Sequence, residues 1–154
     1  MQTLFSVLII AQFLVVILHD LVDIPGWVHG YQVREVIGRS KLYIATAVNA
    51  IFPAVAVVFA VRFWSGAKPS YVYRYWAIYC AVTVISAIAM WYVPYLFGTD
   101  KQTCSQYEAM YRGTRHILPL RGENPRPNLF HIMLHILFLA TLIIAVALML
   151  GHRQ

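Results

Sequence analysis

Residues Asn124 to Leu150 read NPRPNLFHIMLHILFLATLIIAVALML. From Leu129 onward no Asp, Glu, Lys or Arg interrupts the apolar run, yet His131 and His135 sit one helical turn apart at its start. A segment fit for lipid that opens with two titratable rings poses two questions: how many such segments the chain has, and what the rings face.

Composition answers the first in outline. The chain has 154 residues, of which 60% are hydrophobic and 12% charged, against about 25% charged in ordinary soluble domains. Four segments stand out: Thr3 to Leu21, Leu42 to Phe63, Val72 to Phe97 and Leu129 to Leu150. The second holds 22 residues, which at about 1.5 Å per residue gives about 33 Å, enough for a hydrocarbon core of about 30 Å. The expected fold is an all-α integral membrane four-helix bundle, one domain over residues 1–154, with a folded polar loop over 98–127. No cleavable leader is expected, because Met1 to Leu18 lacks a basic start and a small-residue cleavage site before His19 and Asp20.

The ends of these segments carry matching signals. Asn128 after Pro127 suits the cap of the fourth helix, Gly151 its stop, and Ser40 the cap of the second. Tyr71, Tyr73, Tyr75, Trp76 and Tyr79 load one end of the third segment, and Trp91, Tyr92 and Tyr95 the other, as interfacial aromatic belts do. Pro53 removes a bond to the carbonyl of Asn49, so a kink is expected there. Ala50 with Ala54 and Ala56 with Ala60 allow close helix approach.

An even number of spans puts both termini on one side and two loops, Val22 to Lys41 and Gly98 to Pro127, on the other. The terminal side holds Arg62, Lys68, Arg74 and Arg153 and no acid. The loop side holds Arg34, Arg39, Lys41, Lys101, Arg112, Arg115, Arg121 and Arg126, with all six acids and five of the six histidines. By the positive-inside rule this count favours a cytoplasmic loop side, although some of those arginines could equally serve a site. The net charge of +6 is spread between apolar segments with no dense cluster, which fits lipid headgroups and excludes a nucleic-acid partner. Cys80 lies in an apolar run and Cys104 in a polar loop, so two free thiols are expected.

The polar residues gather at the loop-side mouth. The first helix places Gln12, His19 and Asp23 near one face, and the fourth begins at the same surface with its HxxxH. His131 and His135 at this spacing suit a divalent metal, with His19 the natural third ligand and His116, Asp20 or Asp23 as others. The same rings could serve haem, with His135 the deeper ligand. Histidines near helix ends also sit at interfaces bonded to backbone or headgroups. In the loop, Asp100 is expected to cap a short helix to about Arg112 that Gly113 ends, pairing Glu108 with Arg112 and aligning Tyr107 with Tyr111. Arg115, His116, Arg121, Glu123 and Arg126 come next, in a segment stiffened by Pro119, Pro125 and Pro127. Arginines over a membrane mouth favour an anionic group, whether a lipid phosphate, a carboxylate or a quinone-like oxygen; solvated or topology-setting arginines are the plainer reading.

The expected binding cluster is therefore His19, Asp20, Asp23, Tyr107, Arg112, Arg115, His116 and Arg121, with His131, His135 and His19 as metal ligands. No Gly-rich phosphate loop, GxSxG elbow, HExxH motif or paired-cysteine motif is present. The stretches ILHDLVDIP, WYVPYLFG, RGTRHILPLRGENPRPN and HIMLH together resemble a group of small uncharacterised four-helix bacterial membrane proteins. The resemblance covers His19 to His135 and implies four membrane helices with a shared polar face in a bacterial inner membrane, and no substrate. Three functions stay open: a ligand-binding multipass protein, a metal- or haem-dependent membrane enzyme, and an accessory subunit or homo-oligomer among membrane-protein partners.

The span count is directly testable. In a variant lacking Cys80 and Cys104, new cysteines in place of Gln2 and Gln154 should react with an impermeant maleimide from the same side of the membrane. Labelling from opposite sides would undo the sorting of polar residues onto one face.

Overall fold

Apolar runs bounded by glycine and proline set the helices. The computed structural model describes residues 2–19, 21–64 and 68–151, and the chain there is mostly helical. In order come α1 (Gln2–Leu18), the two-residue strands β1 (Asp23–Ile24) and β2 (Val28–His29), α2 (Gly30–Ile37) and α3 (Arg39–Arg62). After these come α4 (Ser70–Ala87), a π-helical segment (Ile88–Tyr92), α5 (Val93–Phe97), α6 (Lys101–Tyr111) and α7 (Leu129–Gly151). Among the described residues three helices are long and apolar enough to cross a membrane: α3, the continuous run Ser70–Phe97, and α7, with mean hydropathies of 2.3, 1.8 and 2.7.

The helix α1 packs along α3 and α4 along α7, and lesser contacts of α1 with α7 and α3 with α4 close a ring of four apolar helices. Phe5 and Ile9 of α1, Ala56 and Ala60 of α3, Trp76 of α4 and Ala145 of α7 share one core cluster. The start of α1, the end of α3, the start of α4 and the end of α7 therefore meet. Trp76 is fully buried, edge-on to Phe5 at 4.7 Å, and its indole N–H donates to the Ala56 carbonyl at 3.2 Å. Helix α3 runs through Pro53 as one helix, and the hydroxyl of Tyr75 donates to the Phe52 carbonyl at 2.9 Å beside it. Deeper in the ring the Gln12 side-chain nitrogen donates to the Thr141 hydroxyl and to the Leu137 carbonyl, joining α1 to α7, while its buried Oε1 has no hydrogen-bond partner among the described residues. Lys68, counted above as a terminal-side cation, has a side chain only 1% exposed, and its Nζ has no hydrogen-bond partner among the described residues.

The structure corrects the expected boundaries in three places. The first helix stops at Leu18, not Leu21, because the Leu18 carbonyl takes the amides of both Leu21 and Val22 as the chain turns, and the Val22 carbonyl goes to Gly30. The stretch after it is a hairpin, where a plain loop was expected. Pro25 and Gly26, the latter at φ +75°, turn the chain so that the Trp27 amide reaches the Ile24 carbonyl at 2.9 Å, and β1 pairs with β2; proline followed by a positive-φ glycine is the signature of a type II turn. Ser40 does not cap α3, which begins at Arg39 after Gly38 swings to φ +88°.

At the other end of the ring the proline at position 94 shapes the helix. It has no amide hydrogen for the carbonyl of Met90 four residues earlier, and just there the helix widens into the π segment, with the Val93 amide bonding to the Ile88 carbonyl. The Tyr107 hydroxyl of α6 donates to the Met90 carbonyl at 3.1 Å. Removing that hydroxyl by Tyr107→Phe should cost about 1 kcal/mol in thermal unfolding. In a Pro94→Ala background, where position 94 regains an amide hydrogen, the same change should cost little; equal losses in both backgrounds would show that the proline and the tyrosine are not coupled.

Candidate functional site

Asn128 is the joint from which the loop-side face is built. It precedes α7, and its carboxamide oxygen accepts from the backbone N–H of His131 at 2.9 Å, as a capping residue should. The same oxygen lies 2.8 Å from His131 Nδ1, and the amide nitrogen donates to the Trp27 carbonyl at 3.3 Å. These partners set the orientation of the amide, and an oxygen that only accepts puts the proton of the His131 ring on Nδ1. The Nδ1 of His19 lies 2.8 Å from the Val16 carbonyl, so it too carries the proton.

The two helices do converge as the sequence implied. The rings of His19 and His131 meet edge to face at 5.5 Å, and His135 lies 6.2 Å beyond His131. The space around them is filled by aromatic rings. Trp91 of the π segment covers His131 at 4.1 Å, Tyr111 approaches the same ring at 5.2 Å, and the Tyr92 hydroxyl is 3.3 Å from His135 Nδ1. His131 is left 4% exposed. Among the described residues no three His, Cys, Asp or Glu side chains form a group that could hold a metal ion. The expected triad of His19, His131 and His135 is present as an aromatic cluster, with two of its rings bonded to carbonyl oxygens. Asp20 lies outside the described residues.

Beside this cluster, α6 and the segment from Gly113 to Arg126 border an open cavity of about 750 Å³ that several charged and polar side chains line. Asp100 caps α6 as expected, accepting from the Thr103 amide at 2.9 Å and from its hydroxyl at 2.6 Å, and these bonds hold the Asp100 carboxyl below its usual pKa. Lys101, Tyr107, Glu108, Arg112, His116 and Arg126 line the cavity. Tyr107, Arg112 and His116 were expected at the site, while Lys101 and Arg126 were read only as loop charges. Burial raises the pKa of the Tyr107 phenol, so it stays a hydrogen-bond donor. The helix ends at Tyr111 and the backbone of Arg112 is extended, at φ −58° and ψ 131°. For that reason the expected Glu108 to Arg112 ion pair does not form among the described residues.

Thr114 and His116 face the cavity and Arg115 does not. Arg115 instead lies over the hairpin turn, its amide bonded to the Gly26 carbonyl at 2.9 Å and its carbonyl accepting from Leu129 at 2.7 Å. Two more expected residues leave the cluster. Asp23 turns outward, accepting from the Tyr31 amide at 2.9 Å and pairing with Arg34 at 3.4 Å, because the hairpin carries it away from the axis of α1. Arg121 lies over the ring of Tyr95 at 5.8 Å, outside the cavity. Tyr95 is also what docks the loop: its hydroxyl donates to the Pro119 carbonyl at 3.1 Å, and its own carbonyl accepts from the Asn124 amide at 2.9 Å. Comparison of the chain with protein-family profiles, with curated proteins and with solved structures finds no match in any of the three.

His116 gives the site a pH signature. Its Nδ1 lies 3.3 Å from the Pro127 carbonyl, while burial, foremost, and the Arg126 charge lower its pKa from the ordinary 6.5. The unfolded chain then binds the proton more readily than the folded one, so stability is full above about pH 6.5 and declines as pH falls below it. Melting temperature measured from neutral to mildly acid pH should drop less steeply in His116→Gln than in the parent; parallel curves would show that this ring does not titrate against folding.

Proposed function

We propose that the chain is a multipass membrane protein with four spans, its termini on one face, whose opposite face binds a small polar ligand bearing a carboxylate or phosphate. The membrane reading is supported by the three helices of spanning length and by large apolar side chains directed outward around the ring, among them Phe52 at 67% and Ile85 at 65% exposed. Water would penalise such a surface and lipid would not. The helix α1, at 17 residues, is shorter than its neighbours; at about 25 Å it reaches most of the way across a hydrocarbon core of about 30 Å.

The observation that carries the ligand reading is the cavity. Its wall joins Lys101, Arg112 and Arg126 with a phenol and an imidazole, against Glu108 and Glu123. Positive groups exceed negative by one, and Arg112 has no ion-pair partner among the described residues. A guanidinium presents paired donors to a carboxylate or phosphate, and the volume lies within the range of about 300–1,000 Å³ common for small-molecule sites. Tyr111, which lines the cavity, also approaches the His131 ring at 5.2 Å, tying the cavity wall to the start of α7.

Inorganic phosphate and succinate, titrated calorimetrically into purified protein, are the probes. At least one should bind, and Arg112→Ala should weaken it by about tenfold, the worth of one charge-assisted bond of about 1.5 kcal/mol. If neither probe binds, or if the variant binds as well as the parent, the ligand reading fails.

A further inference from the structure

A second concavity lies on the outer side of the same face, away from the polar cavity. It is a groove of about 570 Å³ between α1 and α7 whose wall is almost wholly apolar, formed by Val15, Ile24, Trp27, Phe130, Met133 and Leu137. Phe130 and Leu137 are two turns apart on α7, so the groove runs about 10 Å along the helix. The hairpin overhangs its upper end through Ile24 and Trp27. Two polar side chains lie beside that end, outside the lining itself. Phe130 stacks on His19 with centroids 6.4 Å apart, and Arg115 lies over Gly26, where an added Cβ would sit 3.7 Å from its Nε. Arg115 is exposed and makes no ion pair among the described residues, whereas the nearby Asp23 is taken by Arg34.

An apolar trough beside a guanidinium that has no ion-pair partner among the described residues is complementary to a molecule with a long apolar tail and an anionic head. We propose that the groove binds an anionic phospholipid of the surrounding membrane, one acyl chain lying along α7 between Phe130 and Leu137 and the phosphate at Arg115. The chain separates its arginines for this purpose. In the extended segment after α6, Thr114 and His116 face the polar cavity while Arg115 faces the hairpin, so neighbouring residues serve two sites. Backbone bonds from Arg115 to Gly26 and Leu129 fix its backbone against the hairpin, and its Nε lies at van der Waals distance from where a Cβ at Gly26 would sit. A zwitterionic lipid would fill the trough equally well but would gain less from the guanidinium, because its own ammonium offsets the phosphate charge.

The inference rests on the membrane reading, which alkaline carbonate extraction tests by itself: protein released with the soluble fraction would end both. For protein that stays in the membrane, the test is native mass spectrometry after reconstitution in vesicles of mixed phosphatidylglycerol and phosphatidylcholine. The parent should retain phosphatidylglycerol in preference. Arg115→Gln, whose backbone bonds are untouched, should reduce that preference by about tenfold. Met133→Trp, at a position 50% exposed and free to accept bulk outward, should lower retention of both lipids. Equal retention of the two lipids by the parent, an unchanged preference in Arg115→Gln, or displacement of the lipid by inorganic phosphate alone would overturn the proposal while leaving the membrane reading in place.

Discussion

The amide hydrogen that Pro94 lacks organises the loop-side half of the molecule. Without it the carbonyl of Met90 has no α-helical partner, the helix opens into a π segment over Ile88–Tyr92, and the phenol of Tyr107 supplies a donor from outside. The wider turn carries Trp91 and Tyr92, and these two rings meet His131 and His135. One proline thus links the position of α6 to the surroundings of the histidines. Short π segments recur at functional sites because they re-aim consecutive side chains without ending the helix.

Asn128 closes the arrangement from the other direction. Its oxygen serves the backbone and ring of His131 together, and its nitrogen holds the carbonyl of Trp27. The start of α7, the hairpin and the orientation of an imidazole 4% exposed therefore depend on one carboxamide. Tyr111 of the polar cavity reaches α7 at His131, and Phe130 and Met133 of the same helix line the apolar groove. A protein that met a soluble anion in the first and a lipid in the second would hold both against the same helix terminus.

Residues of similar chemistry were divided between these places by backbone geometry. Arg112, Arg115, Arg121 and Arg126 read alike in a string of loop arginines, but only Arg112 and Arg126 reach the cavity. Arg115 faces the hairpin, where its amide is bonded to the Gly26 carbonyl, and Arg121 rests on Tyr95. Asp23 goes outward with β1 to Arg34, although its spacing from His19 would keep it on the same face of a longer helix.

Apolar periodicity and punctuation were sufficient to determine three of the four expected spanning helices, α1 ending short of that length, together with the Asp100 cap of α6 and the Asn128 cap of α7. These depend on local hydrogen bonds and on burial of whole segments, which short windows of sequence encode. His19 and His131 do meet, as α1 and α7 pack against one another. The hairpin, the early end of α1 and the π segment were not legible, because each arises from competition between local propensity and a distant partner: Gly30 for the Val22 carbonyl, Tyr107 for that of Met90. Trp91 read as a belt aromatic and became the cover of His131. Which side chains share a cavity is a property of packing between elements far apart in the chain, and a single sequence does not contain those distances.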